Sequence, residues 1–174
     1  MTKEKIAFIV VRYGKDINGG AEYHCRMLAE RLVNDYDVEV LTTCVKNYVT
    51  GDNEYPEGEE VLNGVLVRRF YSDPVEPDLH KSYVRQAKKW RHFLYRCRLL
   101  KPLSYVKPIW HYKEQEEIKA LNSQVFYSSS MYAFIRENKA SYRAFIPLSF
   151  FPHTYYTALY APEKTILIPT MHNN

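Results

Sequence analysis

Cysteine is scarce in these 174 residues: only Cys25, Cys44 and Cys97 occur. An odd number cannot all pair within one chain, and no second Cys or His stands at ligand spacing beside any of them. A secreted disulfide framework and a structural zinc site therefore find no support. Long apolar runs are missing as well. The run from Ile6 to Val11 is strand-length, too short for the core of a signal peptide, and no stretch approaches the roughly 20 apolar residues of a membrane span. A reducing, cytoplasmic setting is the expectation. Glycine is sparse too, and GKDINGG, from Gly14 to Gly20, has the wrong spacing for the dinucleotide fingerprint G-x-G-x-x-G, which counts against an NAD-dependent oxidoreductase. Acidic residues are absent from one region. Between His80 and Lys113 there are ten Lys or Arg and no Asp or Glu, so the net charge of +4 is local and the remainder carries a balance of −6.

The composition that remains is that of a folded protein, with 46% hydrophobic and 25% charged residues, and the length suits one α/β domain with a real core. Tyrosine is abundant, at 16 residues. Phenolic rings suit surfaces that are half apolar and half wet, such as carbohydrate clefts or membrane-facing patches, and ordinary packing uses them as well.

KIAFIVV, residues 5–11, is a short continuous apolar run rich in β-branched residues, as expected of a strand buried on both faces of a parallel sheet. After the loop RYGKDINGG, apolar Ala21, Cys25, Leu28, Ala29 and Leu32 recur at helical spacing to about Val33. DVEVLTT, residues 37–43, then completes a βαβ unit. A long polar loop is expected over 44–60, and Asn63-Gly64 between apolar runs predicts a hairpin over 60–71. A basic, aromatic-rich helix is expected over 76–100, closed near Pro102, with a further break at Pro108. Helices at about 112–122 and 129–138, a strand over 142–148, a short helix over 153–160 and a last strand over 165–168 complete the pattern. The fold predicted is an α/β, doubly wound, mostly parallel sheet with a β-hairpin and a basic helical insertion over 76–124.

The segments KIAFIVVRYGKDINGGAEYHCRMLAERL, DVEVLTTCVKNYVT, NEYPEGEEVLNGVLVRRF and ILIPTMHNN, in that order, resemble the amino-terminal domain of bacterial glycosyltransferase family 4. The likeness covers nearly the whole chain and is weakest from about Pro77 to Ser123. It implies a Rossmann-like domain forming one half of a GT-B fold, with the acceptor on this half. The nucleotide-sugar donor would lie on a second domain, outside residues 1–174, and this piece alone would be inactive or nearly so. The reaction implied is retaining transfer from a nucleotide sugar to a glycan or lipid-linked acceptor, of the kind used in bacterial surface polysaccharide synthesis. It needs no metal and no tightly bound cofactor.

Several residues carry expectations of chemistry. Gly19 and Gly20 lie between a strand and a helix, where the missing Cβ and the helix amino terminus suit the donor's diphosphate or sugar; the bland alternative is a plain tight turn. Glu22, Tyr23 and His24 open the helix behind that loop, and Glu22 and His24 are candidate acceptor contacts, against a role as solvated groups compensating the helix dipole. Tyr48 and Thr50 would give the long loop a hydroxyl-bearing acceptor wall, or simply sit on its surface. His172 resembles a family histidine that contacts the transferred sugar. Where the family commonly shows His-Asp-Glu, this chain has His172-Asn173-Asn174. The basic stretch 80–113, with Trp90, Phe93, Leu94 and Tyr95 among its cations, reads as a solvated helical pair or as a surface for an anionic membrane, peripheral at its inner face; nucleic acid is disfavoured because no reader motif accompanies the charge. The rival from another class is a non-catalytic binding or interaction module that uses the same fold and its basic helices.

Overall fold

A computed structural model describes residues 3–106, 114–149 and 151–169. Two compact units are present: one joins Met1–Asp73 to Phe126–Asn174, and the other, Pro74–Val125, is inserted between them.

The first unit is α/β. Among its described residues five strands form one sheet: β1 (Lys5–Ile9), β2 (Asp37–Thr43), β3 (Gly58–Leu62), β4 (Val65–Phe70) and β5 (Ala144–Pro147), in the order β3-β4-β2-β1-β5. All neighbours are parallel except β3, which is antiparallel to β4. This mostly parallel sheet is compatible with a Rossmann-like fold. The β3–β4 hairpin turns at Asn63 and Gly64, with φ of 51° and 82°. Two consecutive positive φ values make the tight turn that asparagine and glycine tolerate best.

Helix α1 (Gly20–Leu32) covers one sheet face. Its Cys25 and Ala29 enter a core with Ile6, Phe8, Val10, Val38, Val40, Val65 and Val67. Each strand sends alternate side chains to that face, so the opposite residues need a cover of their own. Part of it comes from α5 (Ser129–Asn138), whose first turn is capped by Ser128 accepting a hydrogen bond from the Met131 backbone N–H at 3.3 Å. Phe134 of α5 lies 4.6 Å from the Arg68 guanidinium and 5.5 Å from the Phe70 ring.

Beneath that cover, Glu39 stands in the middle of β2 with a side chain that is fully buried. Lys5 of β1 reaches it at 2.7 Å, Arg68 of β4 donates to it at 2.6 Å, and the Tyr142 hydroxyl donates to its second oxygen. Burial alone raises a carboxyl pKa, but the hydrogen bonds from Lys5, Tyr142 and Arg68 outweigh it and hold Glu39 below its ordinary range.

The long loop after β2 is tied down. Asn53 exchanges hydrogen bonds with the Ser72 backbone at 3.0 and 2.8 Å, and the Tyr55 N–H donates to the Cys44 carbonyl at 2.8 Å. Helix α6 (Pro152–Tyr160) begins on a proline, whose missing N–H costs nothing in a first turn. Residues 165–168, expected as a strand, make only two isolated parallel bridges, Phe145 to Thr165 and Leu148 to Ile168. The 3₁₀ turn Pro162–Lys164 delivers the chain to the outer edge of β5, and bonds to the carbonyls of Phe145 and Pro147 hold it there without a continuous ladder.

The inserted unit is helical: α2 (Pro77–Arg96), α3 (Leu100–Val106) and α4 (Glu114–Asn122). α2 packs on α4, with His80 about three turns before Arg91 along one helix face. His80 Nδ1 lies 2.8 Å from Ser123 Oγ, and Arg91 lies 3.8 Å from Glu117. The helix expected over 76–100 ends earlier, at Arg96. Arg98 turns with φ of 57°, and α3 then runs through Pro102 rather than stopping there. Pro102 is the third residue of α3, where its lost N–H had no intrahelical partner to lose. The break expected at Pro108 falls outside the described residues.

Candidate functional site

In an open parallel sheet, ligands bind beyond the carboxyl ends of the strands, where neighbouring connections leave in opposite directions. Here that place is between β1, whose chain leads into α1, and β5, whose chain leads into α6. Three loops meet at this edge: the ones after β1, β2 and β5.

Arg12, just past the end of β1, organises them. Its Nε and Nη2 both donate to Glu22 Oε1, at 3.0 and 2.7 Å, and its Nη1 donates to the Lys46 carbonyl at 3.1 Å. The guanidinium also sits 5.1 Å from the centre of the Tyr48 ring, within range of a cation–π attraction. Tyr48 continues the chain of contacts to Phe126, 4.9 Å away, and Phe151, 6.2 Å away. Phe151 in turn lies 5.9 Å from the His153 ring in a stacked arrangement.

His153 is buried at the start of α6. Its Nε2 is 2.8 Å from the Leu148 carbonyl, which can only accept, so Nε2 carries the proton and Nδ1 is the acceptor nitrogen. Burial pulls this imidazole down to about 4, although the bond to Leu148 acts in the other direction. The turn between them holds Ser149 at φ 78°, a left-handed conformation uncommon for serine, braced by the Thr154 hydroxyl donating to the Ser149 carbonyl at 2.6 Å.

The two glycines of the first loop differ. A Cβ on Gly19 would fall 2.0 Å from Glu22 Oε2, whereas a Cβ on Gly20 would meet nothing within 4 Å. Gly19 is thus required by the carboxylate that Arg12 pins beside it, and Gly20 faces open space. Gly19→Ala should cost about 1–3 kcal/mol by pushing Glu22 off Arg12, while Gly20→Ala, at the first position of α1, should leave stability unchanged or slightly raised. Thermal melts of the two variants check this; equal melting temperatures would show that Glu22 is not held.

Of the residues singled out from the sequence, Gly19, Glu22 and Tyr48 are brought together through Arg12. Glu22 is nearly buried, and Tyr48 is half exposed. His24 points to solvent at the surface of α1, and Thr50 is exposed in its loop, its hydroxyl 3.4 Å from the Asp52 N–H. His172 lies outside the described residues. Arg12, Phe126, Phe151 and His153 escaped sequence reasoning. Only Arg12 left a signal, as a cation directly following a buried strand. Phe126 and Phe151 join the site through Tyr48, far away in the chain, and His153 reads in sequence as one more ring in the aromatic run before Tyr155. Among the described residues no three His, Cys, Asp or Glu stand together as a metal ion would require. No described helix is long and apolar enough to cross a membrane. No family model, curated protein or solved structure matches the chain.

Proposed function

We propose that this chain is the acceptor-side half of a GT-B, retaining glycosyltransferase that moves a sugar from a nucleotide-sugar donor to a glycan or lipid-linked acceptor, on the cytoplasmic side of surface polysaccharide synthesis. The observation that carries the reading is the wall formed by half-exposed Tyr48 and part-buried Phe151 over the buried Phe126, tied through Arg12 and Glu22 to the glycine loop, at the ligand-binding edge of the sheet. Aromatic faces suit the apolar C–H side of a sugar ring, and the polar tip of Tyr48 can serve its hydroxyls. Arg12 fixes the wall to the glycine loop, so the acceptor meets a preorganised surface.

In this reading the donor belongs to a second domain facing Gly20, and His172 hydrogen-bonds the transferred sugar. A phosphate oxygen of the donor helps remove the acceptor proton, so neither a protein nucleophile nor a metal is needed. This half positions the acceptor and shapes the electrostatic field at the point of transfer.

Glu22 favours a second reading, a non-catalytic binding module. Its carboxylate already lies against Gly19 in the first turn of α1, where it supplies the negative charge that a helix amino terminus attracts. Calorimetric titration of the 174-residue chain separates the two. Binding of short oligosaccharides, weakened roughly five- to tenfold by Tyr48→Ala, together with no tight binding of nucleotide sugars, is the result expected of an acceptor half. Tight nucleotide-sugar binding by this chain alone, or indifference to saccharides, would overturn it.

A further inference from the structure

The sheet has two outer strands, β3 and β5, and they differ in what lies beside them. The outer edge of β5 is occupied by residues 165–168: the Ile166 and Ile168 N–H groups donate to the Phe145 and Pro147 carbonyls at 2.9 and 3.1 Å. The outer edge of β3 has no such strap. Among the described residues its strand partner is β4 alone, and no other backbone hydrogen bond reaches Gly58–Leu62.

Which backbone groups face outward follows from the hairpin. Leu62 and Val65 flank a two-residue turn, and in such a hairpin the flanking pair exchanges both of its hydrogen bonds. Glu60, two residues back, does the same with Val67, so Glu59 and Val61 turn their N–H and C=O groups away from β4. An open edge is ordinarily blunted by lysine, proline, a bulge or an uncompensated charge. Gly58–Leu62 contains neither lysine nor proline, and its register with β4 runs without a bulge. Its two charges are neutralised from β4: Glu59 pairs with Arg68, and Glu60 Oε1 accepts from Arg69 Nε at 2.8 Å. Val61, 69% exposed, is the apolar side chain left at this edge.

We propose that β3 pairs with β3 of a second copy of this chain, antiparallel across a two-fold axis, so that the two five-stranded sheets become one. The strand is complementary to itself in one register. With Val61 opposite Val61, the outward N–H and C=O of each meet across the axis, the β-branched side chains cover one another, and Glu60 lies opposite Leu62. Sliding the strands toward Gly58 sets Glu60 against Glu60 or Glu59 against Glu59, and like charges directly opposite destabilise a sheet. Five-residue strands bury little surface on pairing, so the dimer is weak and depends on concentration. This inference goes beyond the transferase reading and does not depend on it.

Sedimentation velocity of the 174-residue chain from about 10 µM to about 1 mM, the span of weak association, should show monomer passing to dimer. Amide hydrogen exchange locates the contact. The Val61 N–H should exchange freely in dilute protein and slow several-fold in concentrated protein, whereas the Glu60 N–H, bonded to β4, is protected in both. Val61→Pro removes that outward N–H and no bond of the β3–β4 ladder, while Val61→Lys keeps the N–H and sets like charges against each other on the axis. Both variants should lose the dimer, and Val61→Lys, at an exposed position, should keep the thermal melt of the dilute parent chain. A parent chain that stays monomeric throughout, a dimer that Val61→Lys leaves intact, or protection that grows with concentration at other amides but not at Val61 would each overturn the proposal.

Discussion

Replacing Glu39 with alanine should lower the free energy of unfolding by about 3–5 kcal/mol, the range found when one partner of a buried ionic group is removed. Its two carboxylate oxygens hold Lys5, Arg68 and the Tyr142 hydroxyl. Those groups come from β1, from β4 and from the residue two positions before β5, so one side chain in β2 ties together the inner strands of the sheet. Alanine leaves Lys5 and the Tyr142 hydroxyl without their acceptor beneath α5 and leaves Arg68 with Glu59 alone. Urea denaturation at neutral pH is the measurement, and a loss below about 1 kcal/mol would place the cluster with exposed ion pairs of little worth. Glu39→Gln should fall between, since an amide can accept from one donor but carries no charge. The pH dependence has a definite sign. A carboxyl whose folded pKa is lowered stabilises the fold above its unfolded value, and this contribution is lost as pH falls through the lowered folded value. For Glu39 that loss begins below about pH 4.3.

His153 should make the protein lose stability earlier on acidification. In the unfolded chain its imidazole protonates near the ordinary value of about 6.5, whereas in the fold it stays neutral to about 4. Between those two values the unfolded state binds the proton and the folded state does not, so stability falls as pH falls. Across the whole window the loss is about 3 kcal/mol. Above about pH 7 the group is neutral in both states and has no effect on the slope. His153→Gln, whose amide can still donate to the Leu148 carbonyl, should flatten the dependence of the urea midpoint between about pH 6.5 and 4 while leaving the contribution of Glu39 at lower pH in place. A midpoint in the parent protein that does not change over this window would mean that the imidazole reaches water at the ligand-binding edge of the sheet.

Both predictions rest on residues that local patterning cannot single out. In DVEVLTT, Asp37 and Glu39 alternate with valines and look alike, yet Asp37 is exposed and Glu39 fully buried. What separates them is partners 29 and 103 positions away. β1, α1, β2 and the hairpin were legible because each is specified by its own periodicity or by a turn dipeptide such as Asn63-Gly64. The elbow at Arg98 was not, because proline tolerated in a first helical turn and proline that stops a helix read alike in sequence. Residues 165–168 have the β-branched composition of a strand, but ladder formation requires hydrogen bonds along their whole length, and only two bridges form. At the candidate site the sequence pointed to the glycine loop and Tyr48. It did not show that Arg12 joins them, since the guanidinium's three targets come from α1 and from the loop after β2.

The order of strands also sets a timetable. β1, β2 and β4 lie within the first 70 residues and can pair as soon as they leave the ribosome, but β5 begins at Ala144, beyond the whole inserted unit. Translation of the intervening stretch takes on the order of ten seconds, and for that interval one edge of β1 has no neighbour from its own sheet. Lengthening the connection adds little to the equilibrium cost of closing it, because loop entropy grows only with the logarithm of length. Its effect falls on the nascent chain, which carries an open parallel edge, Ile6 to Ile9, until β5 has been made.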